Sequence, residues 1–186
     1  LNLKASYEKS MRRGAYKDEK SHEIMWMRKY DEASRDRDRI QFQMYLFPFD
    51  PLTISGIAIY GQDNFIESQF GLLNDNHNIY SLDADYSITK NISWNLYYSY
   101  ENFDNLQKGR QWSPNGIGDP YTKEPTYESN SNWTAESIDK NNIFGTGLNI
   151  DLGKLGVDLM YSYTDTDGLI KFVSPVGKTD GTSVYK

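Results

Sequence analysis

Apolar and polar residues alternate with a period of two along much of this chain, which predicts β-strands with one apolar and one polar face. The alternation defines seven candidate strands, each about the nine to eleven residues that cross a bilayer at a tilt. The predicted strands are 1–10, 37–47, 52–62, 79–88, 92–101, 143–152 and 155–165.

The charged residues of these strands avoid the apolar parity. The polar parity carries the strand charges, which are Lys4, Glu8, Arg39, Asp83, Asp85, Glu101, Asp151 and Asp158. A charge facing lipid costs about 2–4 kcal/mol near the bilayer midplane, less for an acidic group, and little at the edge. Lys9 and Asp38 break the rule only at strand ends. The pattern therefore predicts one face towards lipid and the other towards an aqueous lumen.

The connections between the predicted strands are of two kinds. Tight turns occupy 48–51, 89–91 and 153–154, whereas long connections occupy 11–36, 63–78 and 102–142. Short turns at one end and long loops at the other are typical of outer-membrane barrels, whose turns are periplasmic and whose loops are extracellular.

Aromatic residues on the apolar parity form two predicted bands, as expected for rings that prefer the membrane interface. Trp94 and Tyr86 fall near the turn end of their strands. The band near the loop end contains Tyr7, Tyr60, Tyr80, Tyr98, Tyr100, Phe144, Tyr161 and Tyr163.

The predicted fold is all-β: an antiparallel up-and-down transmembrane β-barrel segment with about seven strands. Single-chain bacterial barrels have an even number of strands, so seven strands would be only part of a barrel. Residues 1–186 are therefore expected to be part of a single barrel domain in the bacterial outer membrane. The chain is interpreted as starting inside a strand and ending in a loop-like stretch, 179–182. A secreted soluble β-sandwich adhesin would also show alternating strands, so it stays open as an alternative.

Composition narrows the function. A net charge of -6 and a pI near 4.9 argue against a nucleic-acid partner. The mean hydropathy of -0.73 is compatible with a membrane barrel, because only alternate residues face lipid. The chain has no Cys, so it cannot attach haem through a C-x-x-C-H motif or form a thiolate metal site. No nucleophile–base pair or phosphate loop is recognisable, and we expect no enzymatic activity.

Two histidines and one polar cluster are the candidate metal ligands of this sequence. His22 and His77 lie in predicted loops without partners at ligand spacing, so solvated side chains are expected. Residues 74–76 read Asn-Asp-Asn, which suits a turn; Ca²⁺ binding is the alternative, without EF-hand spacing. Neither feature predicts a metal site.

Several stretches resemble the MtrB/PioB family of outer-membrane proteins associated with decahaem cytochromes, over most of residues 1–165. They are the Arg-Asp-rich stretch 27–39, the turn 48–52, Phe70-Gly71-Leu72 with Asp75, Tyr98-Ser99-Tyr100-Glu101, and Gly109-Arg110-Gln111-Trp112. The resemblance implies a porin-like barrel that holds a periplasmic multihaem c-type cytochrome across the membrane for extracellular electron transfer. The haem c would belong to that partner, the barrel would contact outer-membrane lipid, and a surface cytochrome would be a further partner.

The resemblance also suggests which residues could contact the cytochrome. The candidates on the lumen parity are Arg35, Arg37, Arg39, Gln41, Gln43, Asp83 and Asp85. An arginine fork suits carboxylates or haem propionates, but ordinary ion pairs to neighbouring strands are the favoured explanation of the Arg-Asp run. A general diffusion porin or transporter barrel would share every strand feature and remains an alternative function.

Overall fold

Eight β-strands make up almost all of the residues that the structure describes. A computed structural model describes residues 1–14, 32–110, 132–173 and 181–185. The strands are β1 (Asn2–Arg12), β2 (Arg35–Phe49), β3 (Leu52–Asn64), β4 (Gly71–Thr89), β5 (Ile92–Arg110), β6 (Asn132–Asp151), β7 (Gly156–Val173) and β8 (Gly181–Tyr185). No helix in these residues is long and apolar enough to cross a membrane.

The strands form one sheet in which each strand pairs with its neighbours along the chain. The order is β1-β2-β3-β4-β5-β6-β7-β8, and all seven pairings are antiparallel. Among the described residues, β1 and β8 do not pair with each other, so the sheet is not closed. This is the up-and-down topology that the alternating pattern predicted.

Tight connections join the strands at one end of the sheet, called here the turn end. Asp50 and Pro51 connect β2 to β3, and Lys90 and Asn91 connect β4 to β5. Between β6 and β7, Gly153 has a φ of 82° and its N–H donates to the Asp151 carboxylate at 2.7 Å. A left-handed residue of this kind favours glycine. The three predicted tight turns are therefore at the same end.

The strands are longer than the sequence predicted, and there is one more of them. β4 begins at Gly71 and β5 continues to Arg110, where loops were expected. β6 begins at Asn132, so two of the three predicted long loops are much shorter. Gly181–Tyr185 forms an eighth strand, although the chain was expected to end in a loop. The residues that the structure describes thus contain eight strands, one more than the seven predicted.

Very few side chains are buried, because both faces of the sheet are largely uncovered. The described hydrophobic residues that are buried are Ala33, Ile59, Phe65 and Phe70. Three of these lie outside the strands, in the connections opposite the turn end. We call that side of the sheet the loop end. In the described residues the sheet thus lacks the hydrophobic core of a soluble domain, and its large apolar side chains are exposed.

Candidate functional site

The apolar parity forms one continuous exposed face. Pairing brings Tyr80 opposite Tyr100, and Tyr98 opposite Phe144, which in turn pairs with Tyr163. All nine predicted interface aromatics lie on this face, with exposed fractions of 61% for Tyr7 and 65% for Tyr161. They are Tyr7, Tyr60, Tyr80, Trp94, Tyr98, Tyr100, Phe144, Tyr161 and Tyr163.

The polar atoms of these rings have partners close to the sheet. The Tyr80 hydroxyl donates to that of Tyr60 at 2.5 Å, and Trp94 Nε1 donates to Thr146 Oγ1 at 2.7 Å. The Tyr98 and Phe144 rings are 4.7 Å apart between centroids. Rings with a satisfied polar tip and an apolar body suit the boundary between lipid and water.

The apolar stripe ends abruptly along β5. Its apolar positions run from Ile92 to Tyr100, and the next positions on that face are Asn102 and Asp104. Eight residues rise about 27 Å along a strand, or about 21 Å at a typical barrel tilt near 40°. This approaches the apolar band of about 25 Å seen in outer-membrane barrels. We call residues 80–88 of β4 and 92–100 of β5, with their neighbours on adjacent strands, the belt.

The opposite face carries the predicted lumen residues. Gln43 pairs with Ile57, which pairs with Ser81, so β2 and β4 present this parity on the same side. That side contains Arg35, Arg37, Arg39, Gln41, Gln43, Asp83 and Asp85. The seven residues share a face, and we refer to it as the polar face.

Two of the arginines are bound to one buried carboxylate. Arg37 grips Asp63 with two hydrogen bonds of 2.7 Å, from Nε to Oδ1 and from Nη2 to Oδ2. Arg35 Nη1 adds a contact of 3.3 Å to Oδ2. Asp63 is only 4% exposed, and a bidentate fork is the strongest geometry between these groups. Arg35 and Arg37 therefore form ordinary ion pairs with a neighbouring strand.

The pair shifts the protonation equilibria of both partners, beyond the end of the belt. Burial alone raises the pKa of Asp63, but the hydrogen bonds and charge of Arg37, with the charge of Arg35, outweigh it. The pKa of Asp63 is consequently lowered. The hydrogen bond to Asp63 raises the pKa of Arg37 in turn. Both groups are held in their charged forms.

Arg39 has a different environment on the same face. Its Nη2 donates to Gln41 Oε1 at 3.3 Å, and its Nε is buried without a hydrogen-bond partner. Glu8 lies opposite Arg39 in the β1–β2 register. Within the described residues, however, no carboxylate lies within the 4.0 Å of an ion pair. Arg35 also has a buried Nε without a hydrogen-bond partner, but Arg35 contacts the Asp63 carboxylate, whereas Arg39 contacts no carboxylate of the described residues.

Asp83 and Asp85 are not brought together with the arginines. Asp83 pairs with Ser55 of β3, whereas Arg37 pairs with Asp63 of the same strand. The two β3 positions are eight residues apart, about 26 Å at strand spacing. On the polar face, the three arginines therefore lie towards the loop end, and the two aspartates lie towards the turn end.

The chain was compared with known proteins. The sequence profile of the outer membrane beta-barrel porin family MtrB/PioB matches residues 1–183. The chain belongs to the MtrB/PioB family. It is also 28% identical over 144 residues to the outer membrane protein MtrB of Shewanella baltica (strain OS185), covering 76% of this chain. The chain spans about a fifth of that relative's length, since the match covers 19% of it.

Membership of the MtrB/PioB family confirms three predictions: the family resemblance, the antiparallel β-barrel fold and the outer-membrane location. The eight-stranded open sheet is accordingly part of an outer-membrane barrel. A secreted soluble β-sandwich does not fit this family. The apolar face, with its large exposed side chains, is then explained by contact with lipid rather than by a second sheet.

The structure corrects two local predictions. His77 and residues 74–76 belong to β4 of this MtrB/PioB chain, so the expected loop and turn are wrong. The His77 side chain is 14% exposed, and its Nδ1 is 3.4 Å from Asp75 Oδ2. Among the described residues, no group of three or more His, Cys, Asp or Glu could hold a metal. His22 lies outside the described residues.

Sequence reasoning missed a cluster at the loop end in which Ala33, Ser34, Phe65 and Phe70 are buried and Glu67 is exposed. The Ser34 hydroxyl donates to Glu67 and accepts from the Gly14 amide at 3.0 Å. Arg12 Nε donates to the Ala33 carbonyl at 2.9 Å. Together with Phe65 and Phe70, these residues join the β1–β2 and β3–β4 connections; we call Ala33, Ser34, Phe65, Glu67 and Phe70 the loop-end anchor. Two stretches that carry the family resemblance contain residues of this anchor, and they were the sequence signal that could have revealed it: Phe70-Gly71-Leu72 and 27–39.

Glycines on the polar face were also missed. Gly145 of β6 lies opposite Tyr97 of β5, and the Tyr97 ring occupies the space where a Cβ at Gly145 would be. The Tyr97 hydroxyl reaches across to Ser162 Oγ of β7 at 3.0 Å. His77 covers Gly61 in the same way. These side chains lie flat along the sheet instead of projecting into the space beyond it.

Proposed function

We propose that this chain is part of a single barrel domain whose polar face lines a lumen occupied by a multihaem c-type cytochrome. The observation that carries the proposal is that the outward face of the belt is apolar and aromatic while the charged residues of these strands lie on the other face, in a chain of the MtrB/PioB family. The apolar face would contact lipid through its aromatic bands. The polar face would offer charged and hydrogen-bonding groups to a protein that cannot lie bare in hydrocarbon, because unpaired charge is costly there.

In this proposal the barrel supplies position and environment, and the electron chemistry belongs to the cytochrome. The chain has no Cys, so no covalent c-type haem can be attached to it. Haem potentials depend on axial ligands, hydrogen bonds and burial, all of which a surrounding protein can influence. The chain itself would be non-enzymatic. The turn end would face the periplasm and the loop end the cell exterior, where a surface cytochrome could dock.

A diffusion porin is the second candidate, favoured by the family's own description as a porin. Such a barrel would have the same two faces but a water-filled lumen. The two candidates differ in what fills the lumen. A barrel that encloses a cytochrome, called here the sheath, must be far wider than eight strands.

The complete gene should be expressed together with multihaem c-type cytochrome genes of the source organism, and the barrel should be extracted from outer membranes and tested for heat-modifiable migration. We expect covalent haem to copurify with the folded barrel at constant stoichiometry, and little single-channel conductance while the cytochrome is present. A folded barrel that conducts small ions and carries no haem would instead support the porin. The parallel preparation without cytochrome genes is the control.

A further inference from the structure

The three arginines at the start of β2 share a face but not a role. Arg35 and Arg37 converge on Asp63, the nearest buried carboxylate, at 3.3 and 2.7 Å. That carboxylate already accepts both hydrogen bonds of the Arg37 fork. The charges of both residues are therefore already paired with a carboxylate, although the Nε of Arg35, like that of Arg39, is buried without a hydrogen-bond partner. Arg39, two positions further along β2, is not part of this arrangement.

The donors of Arg39 are poorly used inside this chain. A guanidinium carries five N–H donors and is always charged. Only one hydrogen bond is made, to Gln41 at the long distance of 3.3 Å, and Nε is buried without a partner. Leaving a buried charged donor unsatisfied costs free energy, so the group is poised to accept a ligand that satisfies it.

The groups around Arg39 do not supply that ligand. Across the sheet it faces Gly61 of β3, which is covered by His77, and Glu8 of β1, which makes no ion pair with it in the described residues. Asp38 is on the opposite face, where it accepts from the Tyr7 hydroxyl. Glu8 is the carboxylate directly opposite Arg39 in the register, and it is therefore the alternative partner to test within this chain.

We propose that Arg39 is the residue through which the polar face binds a carboxylate of the protein inside the barrel. The inference rests on the proposed function, since it needs a protein in the lumen. The planar fork of arginine matches a carboxylate with two parallel hydrogen bonds, which would satisfy Nε and one Nη together. Arg39 also lies three positions beyond Phe42, which the register aligns through Ala58 with Tyr80 at the edge of the belt, so the contact would fix the partner's depth in the membrane.

The test compares variants of the full-length barrel copurified with its cytochrome. In Arg39→Gln we expect the haem protein to dissociate roughly 30-fold faster or more, because one partner of a desolvated charge pair is removed. Lys4→Gln is the matched control: it removes one positive charge from the same face, at an exposed position opposite Gln43. We expect it to change dissociation less than about threefold.

Two further variants keep the inference testable. Arg39→Lys retains the positive charge without the planar fork, and the haem protein should dissociate from it at a rate between those of the unmodified barrel and Arg39→Gln. This variant keeps the test usable if Arg39→Gln folds poorly. Glu8→Gln should leave dissociation unchanged; if Glu8 is the real partner, Glu8→Gln and Arg39→Gln would lower barrel stability equally and spare cytochrome retention. A shifted haem reduction potential in Arg39→Gln would identify a haem propionate as the ligand of Arg39. Unchanged haem potentials would identify an acidic side chain of the partner.

The outcomes separate the two proposals. If the unmodified barrel retains no haem protein, the proposed function fails. If it retains the haem protein and Arg39→Gln releases it no faster than Lys4→Gln does, the sheath stands and the role of Arg39 is overturned.

Discussion

The belt and the strand extensions beyond it are made of the same strands but are held together differently. In the belt, β5 presents Trp94, Leu96 and Tyr98 outwards, and each packs beside an apolar or aromatic neighbour on β4. Beyond Tyr100 the same face carries Asn102 and Asp104, and pairing with β6 continues to Arg110. Ten further residues extend the strand by about 34 Å.

The difference shows that lipid, and not strand formation, imposes the apolar alternation. A β-ladder needs only backbone hydrogen bonds and compatible cross-strand neighbours, so a strand can be polar on both faces in water. On the outward face of the extension, exposed ion pairs such as that of Lys171 with Glu136, 3.0 Å apart, take the place of the aromatic contacts. We therefore expect the two regions to respond differently to the same kind of substitution.

The largest expected effect is a charge placed on the outward face of the belt. Leu96 is at the centre of the apolar stripe of β5 and 49% exposed. Leu96→Arg should destabilise the inserted barrel by up to about 4 kcal/mol, the cost of an arginine at the bilayer midplane. The measurement is urea unfolding of the detergent- or vesicle-inserted barrel, followed by heat-modifiable migration.

Leu106→Arg is the matched control in the extension. Leu106 has the same parity on the same strand and lies opposite Glu136, so the new arginine meets water and an opposite charge. We expect a change within about 0.5 kcal/mol. Equal costs at residues 96 and 106 would contradict the boundary placed at Tyr100.

The same boundary explains what could be read from the sequence. Inside the belt, every second residue must be apolar, and the predicted strands and their faces there match the structure. In 71–78 and 102–110 no lipid imposes a pattern, so the polar stretches looked like loops. The eighth strand, Gly181–Tyr185, is short and was missed for a similar reason.

The candidate site was only partly predictable. Parity alone was enough to group Arg35, Arg37 and Arg39 on one face. Their different partners could not be read, because the predicted third strand ended at Gln62, one residue before Asp63. Contacts of the loop-end anchor depend on which loops meet in space, and alternation carries no such information.

The second prediction concerns the buried ion pair at the loop end. Asp63→Asn should destabilise the barrel by about 3 kcal/mol, since Arg35 and Arg37 lose a carboxylate that is 6% exposed in its side chain. Glu136→Gln, in an exposed pair, should cost at most about 1 kcal/mol. Urea unfolding measures both. Equal effects would mean that the loop end is no better packed than the rest of the extension.

Acid should reproduce this loss in the unmodified protein. The pKa of Asp63 is lowered in the folded state, so its stabilising contribution is present above the unfolded-state value of about 3.9. It is lost as the pH falls from there through the folded pKa. Asp63→Asn should therefore flatten the acid limb of the stability curve, whereas an unchanged acid limb would assign the sensitivity to other carboxylates.

The smallest expected effect tests whether the polar face is packed alike in both regions. Gly145→Ala would place a Cβ against the Tyr97 ring in the belt, and Gly109→Ala would meet Trp133 in the extension. Each should cost about 1–2 kcal/mol by overpacking, whereas Gly156→Ala, with nothing within 4 Å, should be nearly neutral.

Removing the ring should restore the lost stability. In Tyr97→Ala/Gly145→Ala the penalty of the added Cβ should vanish relative to Tyr97→Ala alone, as a double-mutant cycle in urea unfolding would show. Similar coupling at Gly109 and Trp133 would mean that rings lying across glycines fix strand register with or without lipid on the other face. Coupling confined to Gly145 would instead make this packing a property of the belt, where strands have fewer polar cross-strand pairs to align them.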